Sequence, residues 1–171
     1  APAVLENGGL YTHAGTWAVQ AEAMMRDGEK AYRVYNSFNP VLRGLEPDVY
    51  CCEPYVTPGN VDGPDSPYAG RGGWTWYTGS CAWYAVVVLN WMLGIRPVKE
   101  GLLIDPVIAK NWPGFKVKRF FRGATYKIEV KNPKGKGQGV SSLIVDGKKI
   151  NANIVPAFKD NQEHKVEVIL G

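Results

Sequence analysis

The residues best suited to chemistry are concentrated in one run, residues 70–83, where glycines, tryptophans and hydroxyl side chains precede an apolar segment. Thr78 and Ser80 stand where a helix N-cap belongs. A glycine-rich turn entering a helix exposes unpaired backbone N–H groups and the positive end of the helix dipole, which together bind a phosphate or carboxylate. Arg71 would add a positive charge, and Trp74 a flat wall for a sugar. The same residue types also make an ordinary helix cap, so both interpretations stay open here.

Composition limits the class of protein. The 171 residues carry a net charge of +4 and are 45% hydrophobic, enough for one ordinary domain or two small ones. No apolar run of about 18 residues is present, so we expect no contact with a membrane. Three cysteines and two well-separated histidines lack the spacing of a metal site, and the odd cysteine count is typical of a cytoplasmic protein. Neither an initiator methionine nor a signal pattern begins the chain, so we expect a start in mid-chain.

Charge and aromatic content divide the chain near Gly94. Residues 1–95 are acidic overall and hold most of the tryptophans, whereas residues 96–171 are basic. The shift predicts two domains, 1–95 and 96–171. The lysines of the second part alternate along strand-like segments, a pattern typical of a solvated sheet face, so nucleic-acid binding is a disfavoured alternative.

The hydrophobic period changes at the same place. Helical spacing predicts helices over 15–27 and 29–38, then a long loop over 43–75, then a helix over 79–93 that is apolar nearly all round and ends at Gly94. These helices cannot bury one another, so we expect the first and third to pack against chain segments outside these 171 residues.

Beyond Pro97 the period is two. The pattern predicts six or seven short antiparallel strands, among them a hairpin of 115–122 with 125–130 and another that turns at Asp146-Gly147. The predicted class is α+β.

Seven motifs in fixed order carry a family resemblance. The chain resembles the C-terminal part of the cellobiose and chitobiose phosphorylases, glycoside hydrolase family ninety-four, over about residues 5–150. The motifs are Asn7-Gly8-Gly9-Leu10-Tyr11-Thr12-His13, Glu53-Pro54-Tyr55-Val56, the run 72–80, Leu93-Gly94-Ile95-Arg96-Pro97, Gly101-Leu102-Leu103-Ile104-Asp105-Pro106, Trp112-Pro113-Gly114-Phe115 and Arg122-Gly123-Ala124-Thr125-Tyr126.

The resemblance implies an inverting phosphorolysis, in which inorganic phosphate attacks the anomeric carbon of a β-linked glucose disaccharide or oligosaccharide and releases α-glucose 1-phosphate. It implies the last helices of an (α/α)6 barrel over 1–95, a C-terminal antiparallel β-sheet or sandwich over 96–171, and a homodimer. Phosphate is a co-substrate, and no cofactor is expected. His13, Thr78 and the Gly79 N–H match the family's phosphate-binding residues. Glu6 matches an acid near the sugar subsite. Without the motif, His13 would be read as a hydrogen-bonded structural histidine.

The chain departs from the family in two respects. Gly59 stands where relatives such as cellobiose phosphorylase have a glutamine. One hydrogen bond to the phosphate or the sugar would therefore have to come from Thr57, Asn60 or Arg71. The forms around 57–60 and 71–74 look more like the cellobionic-acid and laminaribiose branches. The family's catalytic aspartate lies upstream, so no catalytic residue is expected here and these residues alone should not catalyse. Glu53 is expected to brace the loop.

Two functions therefore remain from the sequence. The first is the phosphate-binding portion of a longer β-glucoside phosphorylase, with the rest of that chain as its partner. The alternative is a non-catalytic carbohydrate-binding or assembly module that keeps the family fold. The upstream sequence would discriminate them, because an aspartate-bearing helix and loop there would select the first.

Overall fold

The computed structural model describes residues 2–76 and 78–171, and the side chain of Thr78 lies outside that description. The elements in chain order are β1 (Leu10–Tyr11), α1 (Thr12–Met24), α2 (Gly28–Ser37), α3 (Pro40–Arg43), α4 (Pro47–Tyr50), β2 (Asn60–Val61), β3 (Gly72–Gly73), α5 (Thr78–Val86), a π-helix (Val87–Met92), β4 (Ile95–Pro97), β5 (Gly101–Ile104), β6 (Gly114–Phe121), β7 (Ala124–Lys131), β8 (Val140–Val145), β9 (Lys148–Ile150), β10 (Ile154–Pro156) and β11 (Glu163–Leu170). Helices and sheets are both present, as the α+β class requires.

The chain divides into two compact units. We call residues up to Met25 together with Lys30–Val87 the helical unit, and Arg26–Glu29 together with Val88–Gly171 the β unit. The chain passes from the helical unit to the β unit at Val87/Val88. Bonds within the β unit explain this, because Met92 O accepts from the Val107 N–H and Arg119 donates to Asn90 Oδ1.

Three helices form the core of the helical unit. Helix α1 begins at Thr12, earlier than predicted, so His13 lies in its first turn. A Cβ added at Gly15 would lie 3.2 Å from Phe38 Cε1, so glycine allows the close approach of α1 to the end of α2. Tyr84 on α5 donates its hydroxyl to Tyr35 O at 2.7 Å. The helices therefore meet through small residues and aromatic rings.

The opposite face of α1 is apolar and exposed. Trp17, Met24 and Met25 keep 52%, 59% and 65% of their surface accessible. The exposed apolar positions recur at helical spacing and are Ala14, Trp17, Ala18, Ala21, Met24 and Met25. On α5, Trp83 and Val86 are exposed as well. The sequence predicts that α1 and α5 are buried. Within the described residues, each of the two helices still has exposed apolar side chains.

The predicted loop 43–75 contains more structure than expected. It includes the short helices α3 and α4 and the strands β2 and β3, and β2 lies between β1 and β3 in a small antiparallel sheet. Asn60 pairs with both Tyr11 and Gly73. This sheet holds the segment before α1 next to the segment before α5.

A π-helix continues α5 as far as Met92, two residues before Gly94. The Leu93 N–H donates to Val88 O at 2.8 Å, the i→i+5 bond of that geometry. Gly94 has φ +64°, and a Cβ there would lie 2.0 Å from Asp105 O, so this position requires glycine. The predicted helix end at Gly94 is confirmed.

The β unit contains two sheets. Strands β10, β5 and β4 form an antiparallel sheet, and a five-stranded sheet has the order β6-β7-β11-β8-β9. Both predicted hairpins are confirmed, and Asp146 and Gly147 have φ 49° and 78°, as a type I′ turn requires. One pairing differs from the antiparallel prediction, because β11 lies parallel to β7. A parallel pair needs a long connection, and β8 to β10 supply it here.

Candidate functional site

His13 and Gly79, predicted from distant motifs, lie next to each other within the helical unit. A Cβ added at Gly79 would meet His13 Cε1 and Nδ1, each at 3.8 Å. His13 is in the first turn of α1 and Gly79 in the first turn of α5. The N-terminal ends of two helices therefore meet at one imidazole. Free N–H groups and the positive dipole end of each helix are directed toward an anion at such a place.

Unmet hydrogen-bonding capacity is concentrated at these two helix ends. Among the described residues, the buried side-chain nitrogen and oxygen atoms that lack a partner are Thr12 Oγ1, His13 Nε2, Glu22 Oε2 and Ser80 Oγ. Three of them lie in the first turns of α1 and α5. An unpaired buried polar atom costs about 1–3 kcal/mol, so such a cluster requires an explanation such as a bound ion.

The two predicted cap residues have different outcomes. Ser80 does not cap α5 with its side chain, because its hydroxyl is buried and makes no hydrogen bond. The predicted cap and phosphate contact of Thr78 involve a side chain outside the described residues, although Thr78 does begin α5.

Aromatic rings surround His13. Its ring centroid lies 5.2 Å from that of Trp17, in an edge-on arrangement, and 6.0 Å from that of Trp83. Trp83 also meets Trp17 edge-on at 6.4 Å. Trp83 therefore packs against both of these rings.

Glu6, Gly59 and Trp74 border a common cavity of about 370 Å³ in the helical unit. Tyr11 and Asn60 line it too, and Asn60 is 6% exposed. The volume is within the range of small-molecule sites, and the lining combines aromatic rings with a few polar groups. The structure thus brings together three of the four residues that the sequence assigns to a sugar site or to its loop.

The fourth, Arg71, is elsewhere. Its guanidinium carbon lies over the Tyr68 ring at 5.4 Å from the centroid, and Arg71 does not line the cavity. The arrangement is a surface cation–π contact. Arg71 therefore supplies no positive charge to the lining of this cavity.

The loop that carries the tryptophans is braced and strained. Trp76 Nε1 donates to Glu53 Oε1 at 3.1 Å, so Glu53 braces the loop as predicted. Trp74 and Trp76 have φ 53° and 62°, which is unfavourable for bulky side chains and typical of functional loops.

Burial raises the pKa of Tyr50 to about 12, so its hydroxyl stays protonated and points to Val56 O at 3.5 Å.

Other classes of site find less support. In the described part of the chain, no three His, Cys, Asp or Glu residues are grouped as metal ligands, and no helix has the length and hydrophobicity to cross a membrane. A groove of about 510 Å³ in the β unit is lined by lysines, but these pair with glutamates, as in Lys116–Glu129 at 3.4 Å and Lys118–Glu163 at 3.5 Å. Balanced charge disfavours a nucleic-acid surface there.

Sequence reasoning did not single out Thr12 or Tyr11, and it assigned Ser80 only to a helix cap. Thr12 directly precedes His13, and its small polar side chain at a helix start was the available signal. Tyr11 gives no such signal, because its place at the cavity follows from the pairing of β1 with β2.

Comparison with known proteins identifies relatives across almost the whole chain. Residues 1–94 match the family described as "Glycosyl hydrolase 94 superfamily, catalytic domain". N,N'-diacetylchitobiose phosphorylase of Vibrio furnissii is 39% identical over 98% of this chain and 21% of its own length. Cyclic beta-(1,2)-glucan synthase NdvB of Rhizobium meliloti (strain 1021) is 41% identical over 83% of this chain and 5% of its own.

A third relative is a phosphorylase named for a glucuronide. The 3-O-beta-D-glucopyranosyl-beta-D-glucuronide phosphorylase of Paenibacillus borealis is 32% identical over 96% of this chain and 22% of its own length. The chain spans about a fifth of the length of the phosphorylases it matches.

Proposed function

Because the chain belongs to the glycosyl hydrolase 94 superfamily, we propose that it is the phosphate-binding C-terminal portion of an inverting β-glucoside phosphorylase. The observation that carries this proposal is the convergence of His13, Gly79 and three unpartnered buried polar atoms where two helices begin. A phosphate has oxygens enough to accept from several of these donors at once. Inorganic phosphate is the co-substrate in this proposal, and no cofactor takes part.

The proposed reaction needs little more from these residues than orientation. A phosphate oxygen attacks the anomeric carbon of the glucosyl unit, the glycosidic C–O bond breaks, and the acceptor sugar leaves with a proton from a general acid. An inverting glycosidase must activate a water, whereas phosphate is already anionic, so a site that holds it in line replaces the base. The products are α-glucose 1-phosphate and the free acceptor.

We place the general acid on a longer chain that contains these residues, so the 171 residues alone would be inactive. The exposed apolar stripe of α1 supports this arrangement, since Trp17, Met24 and Met25 would be covered by further helices. We propose that these helices complete an (α/α)6 barrel, with the β unit as its C-terminal domain. The cytoplasm is the proposed location and a homodimer the proposed assembly.

The phosphate dependence of the longer enzyme tests the proposal. His13→Ala removes a donor to the anion, so it should raise the KM for phosphate and lower kcat, by about tenfold or more in kcat/KM, with a smaller effect on sugar binding. His164→Gln is the matched control, because it alters the other histidine, which lies in the β unit. An unchanged phosphate dependence in His13→Ala would return this residue to a structural role.

Thr78 offers a second test. Thr78→Ala should slow phosphorolysis and the reverse synthesis alike, because both directions pass through one transition state. Thr78→Ser keeps a hydroxyl and should largely keep activity. If Thr78→Ala lowers the melting temperature but leaves turnover intact, Thr78 is a helix cap, worth about 1 kcal/mol, and phosphate binds elsewhere.

A non-catalytic carbohydrate-binding module is the alternative function. The cavity at Trp74 would serve such a module equally well. Sugar binding without any phosphorolysis by the longer chain would favour the alternative.

A further inference from the structure

The connection between β10 and β11, residues 157–162, lies at the surface of the β unit, and we call it the strap. Residues 158–162 are all exposed. Lys159 and Asn161 have φ 58° and 60°, in the left-handed region that side chains other than glycine disfavour. Because this backbone is strained, the strap needs contacts with the sheet to keep its conformation.

One imidazole, that of His164, holds the strap through two side chains. His164 is 7% exposed. Its Nε2 lies 3.2 Å from Asp160 Oδ1, and its ring is stacked on that of Phe158 with centroids 3.9 Å apart. On its other side, Nδ1 lies 2.7 Å from Asp146 Oδ2, and Asp146 Oδ1 accepts from the Lys165 N–H at 2.8 Å. Asp146 is thus fixed from two sides in the turn between β8 and β9, whereas Asp160 belongs to the strap.

Three further hydrogen bonds hold the strap through backbone N–H groups. They run from the Phe158 N–H to the Tyr126 hydroxyl at 3.1 Å, from the Asn161 N–H to Gly123 O at 2.6 Å, and from the Thr125 N–H to Gln162 O at 2.9 Å. These backbone donors do not change their charge near neutral pH. They alone would have to maintain the strained backbone once the contacts with His164 are weakened.

The titratable groups that face the His164 ring come from three elements of the β unit. In the described part of the chain they are Asp146 in the turn between β8 and β9, Asp160 in the strap, and Tyr126 in β7, whose ring centroid lies 5.8 Å from that of His164. The ammonium of the neighbouring Lys165 pairs with Glu167 at 2.8 Å. Burial alone would lower the pKa of His164, but its hydrogen bonds to the two aspartates raise it.

Bonding to both carboxylates requires both ring N–H groups. An imidazolium carries a proton on each nitrogen, and its positive charge is also attracted to the aromatic face of Phe158. A neutral imidazole has a single N–H. The closer Asp146 keeps that N–H, so Nε2 presents a lone pair to Asp160. Loss of the proton therefore weakens the contacts on the strap side and leaves the contact on the turn side.

We propose that the strap is a pH-sensitive latch, in which a proton on His164 holds residues 157–162 closed and its loss releases them while the five-stranded sheet stays folded. Release frees the Phe158 ring from the imidazole and lets the left-handed residues of the strap relax. The latch lies entirely within the β unit and does not rest on the proposed phosphorolysis.

Hydrogen exchange of the longer chain, followed by mass spectrometry at about pH 5.5, 7 and 8.5, tests the latch. After correction for the intrinsic pH dependence of exchange, protection of the strap should fall by about tenfold or more from the lowest to the highest pH, as expected for the loss of one charge-assisted hydrogen bond. Low concentrations of urea should leave exchange in the strap unchanged and speed up exchange in β7, because a local opening exposes little surface.

Variants separate the latch from a general effect of charge. Asp160→Asn should make protection of the strap nearly independent of pH, because an amide can accept from a protonated Nε2 and donate to a neutral one. Glu100→Gln alters an exposed glutamate elsewhere in the β unit and should keep the pH dependence of the wild type. Protection of the strap that does not vary with pH in the wild type, or that varies equally in Asp160→Asn, would overturn the proposal. Equal urea dependence in the strap and β7 would overturn it too, because exchange would then need unfolding of the whole sheet.

Discussion

The helical unit and the β unit treat their buried polar groups in opposite ways. In the β unit, Asn132 is 4% exposed and its amide is fully used. Its Nδ2 donates to Lys110 O and Trp112 O, and its Oδ1 accepts from the Gly137 N–H. The described buried side-chain atoms without partners all lie in the helical unit. The described buried side chains of the β unit therefore satisfy one another, whereas the helical unit leaves hydrogen-bonding capacity unused.

The two histidines show the same contrast. His164 Nδ1 lies 2.7 Å from Asp146 Oδ2, its Nε2 lies 3.2 Å from Asp160 Oδ1, and its ring stacks on Phe158 with centroids 3.9 Å apart. His13 has no partner at Nε2. A histidine whose two ring nitrogens both have partners contributes to the stability of the fold. A histidine with an unpaired nitrogen still has hydrogen-bonding capacity for a ligand.

Removing a buried apolar side chain of the β unit should have the largest effect. Leu102 is fully buried, and Leu102→Ala should lower the free energy of unfolding by about 2–5 kcal/mol. Met24 is 59% exposed in these 171 residues, and Met24→Ala in the 171-residue chain should change its free energy of unfolding by less than about 0.5 kcal/mol. Urea titration with hydrogen exchange at β5 and α1 measures both. A comparable loss from Met24→Ala would mean that the exposed face of α1 is packed.

The next largest effect concerns the paired amide. Asn132→Ala should cost about 3 kcal/mol, because it leaves buried backbone groups at Lys110, Trp112 and Gly137 without their partner. Asn151→Ala is the control, since Asn151 is exposed, and it should cost less than about 0.5 kcal/mol. Equal effects of the two variants on the free energy of unfolding would mean that the hydrogen bonds of Asn132 do not stabilise the β unit.

The third effect is a pH dependence specific to the β unit. Burial lowers the pKa of His164, but its hydrogen bonds to Asp146 and Asp160 outweigh this, so the pKa is raised. The contribution of His164 to the free energy of unfolding is then complete below about pH 6.5, and it is lost as the pH rises through the raised pKa of His164. The hydrogen bond from His164 lowers the pKa of Asp146. The contribution of Asp146 to the free energy of unfolding is therefore lost as the pH falls through this lowered pKa.

Melting temperatures from pH 4 to 9 measure this dependence. The wild type should be most stable between about pH 4 and 6.5 and should become less stable above that range. His164→Gln carries no titrating ring and should flatten the alkaline side. Parallel profiles for the two proteins would show that His164 does not hold a proton between the two aspartates.

The smallest effect should come from an unpaired group of the helical unit. Ser80→Ala removes a buried hydroxyl without a partner, so stability should stay the same or rise by up to about 1 kcal/mol. Added phosphate should then stabilise the wild type more than Ser80→Ala. Ser37→Ala, at an exposed position of α2, should respond to phosphate as the wild type does. A clear loss of stability in Ser80→Ala without phosphate would mean that this hydroxyl is paired.

Local signals account for the parts of the fold that the sequence predicts well. The Asp146-Gly147 turn and the alternation along β6 and β7 specify hairpins, because turn dihedrals and side-chain direction depend on neighbouring residues. The parallel pairing of β11 with β7 was not predictable in this way. Alternating hydrophobicity is the same for parallel and antiparallel partners, and the choice depends on strands far apart in the chain.

Motifs and their order were enough to identify the family and the residue types available for an anion and a sugar. Three placements came only from the folded chain: Gly79 lies against His13, Arg71 stacks on Tyr68 and does not line the cavity, and Glu6 shares that cavity with Trp74. The physical reason is that local sequence sets backbone dihedrals and helix starts, whereas contacts between distant segments follow from packing of α1 with α5 and from pairing of β1, β2 and β3.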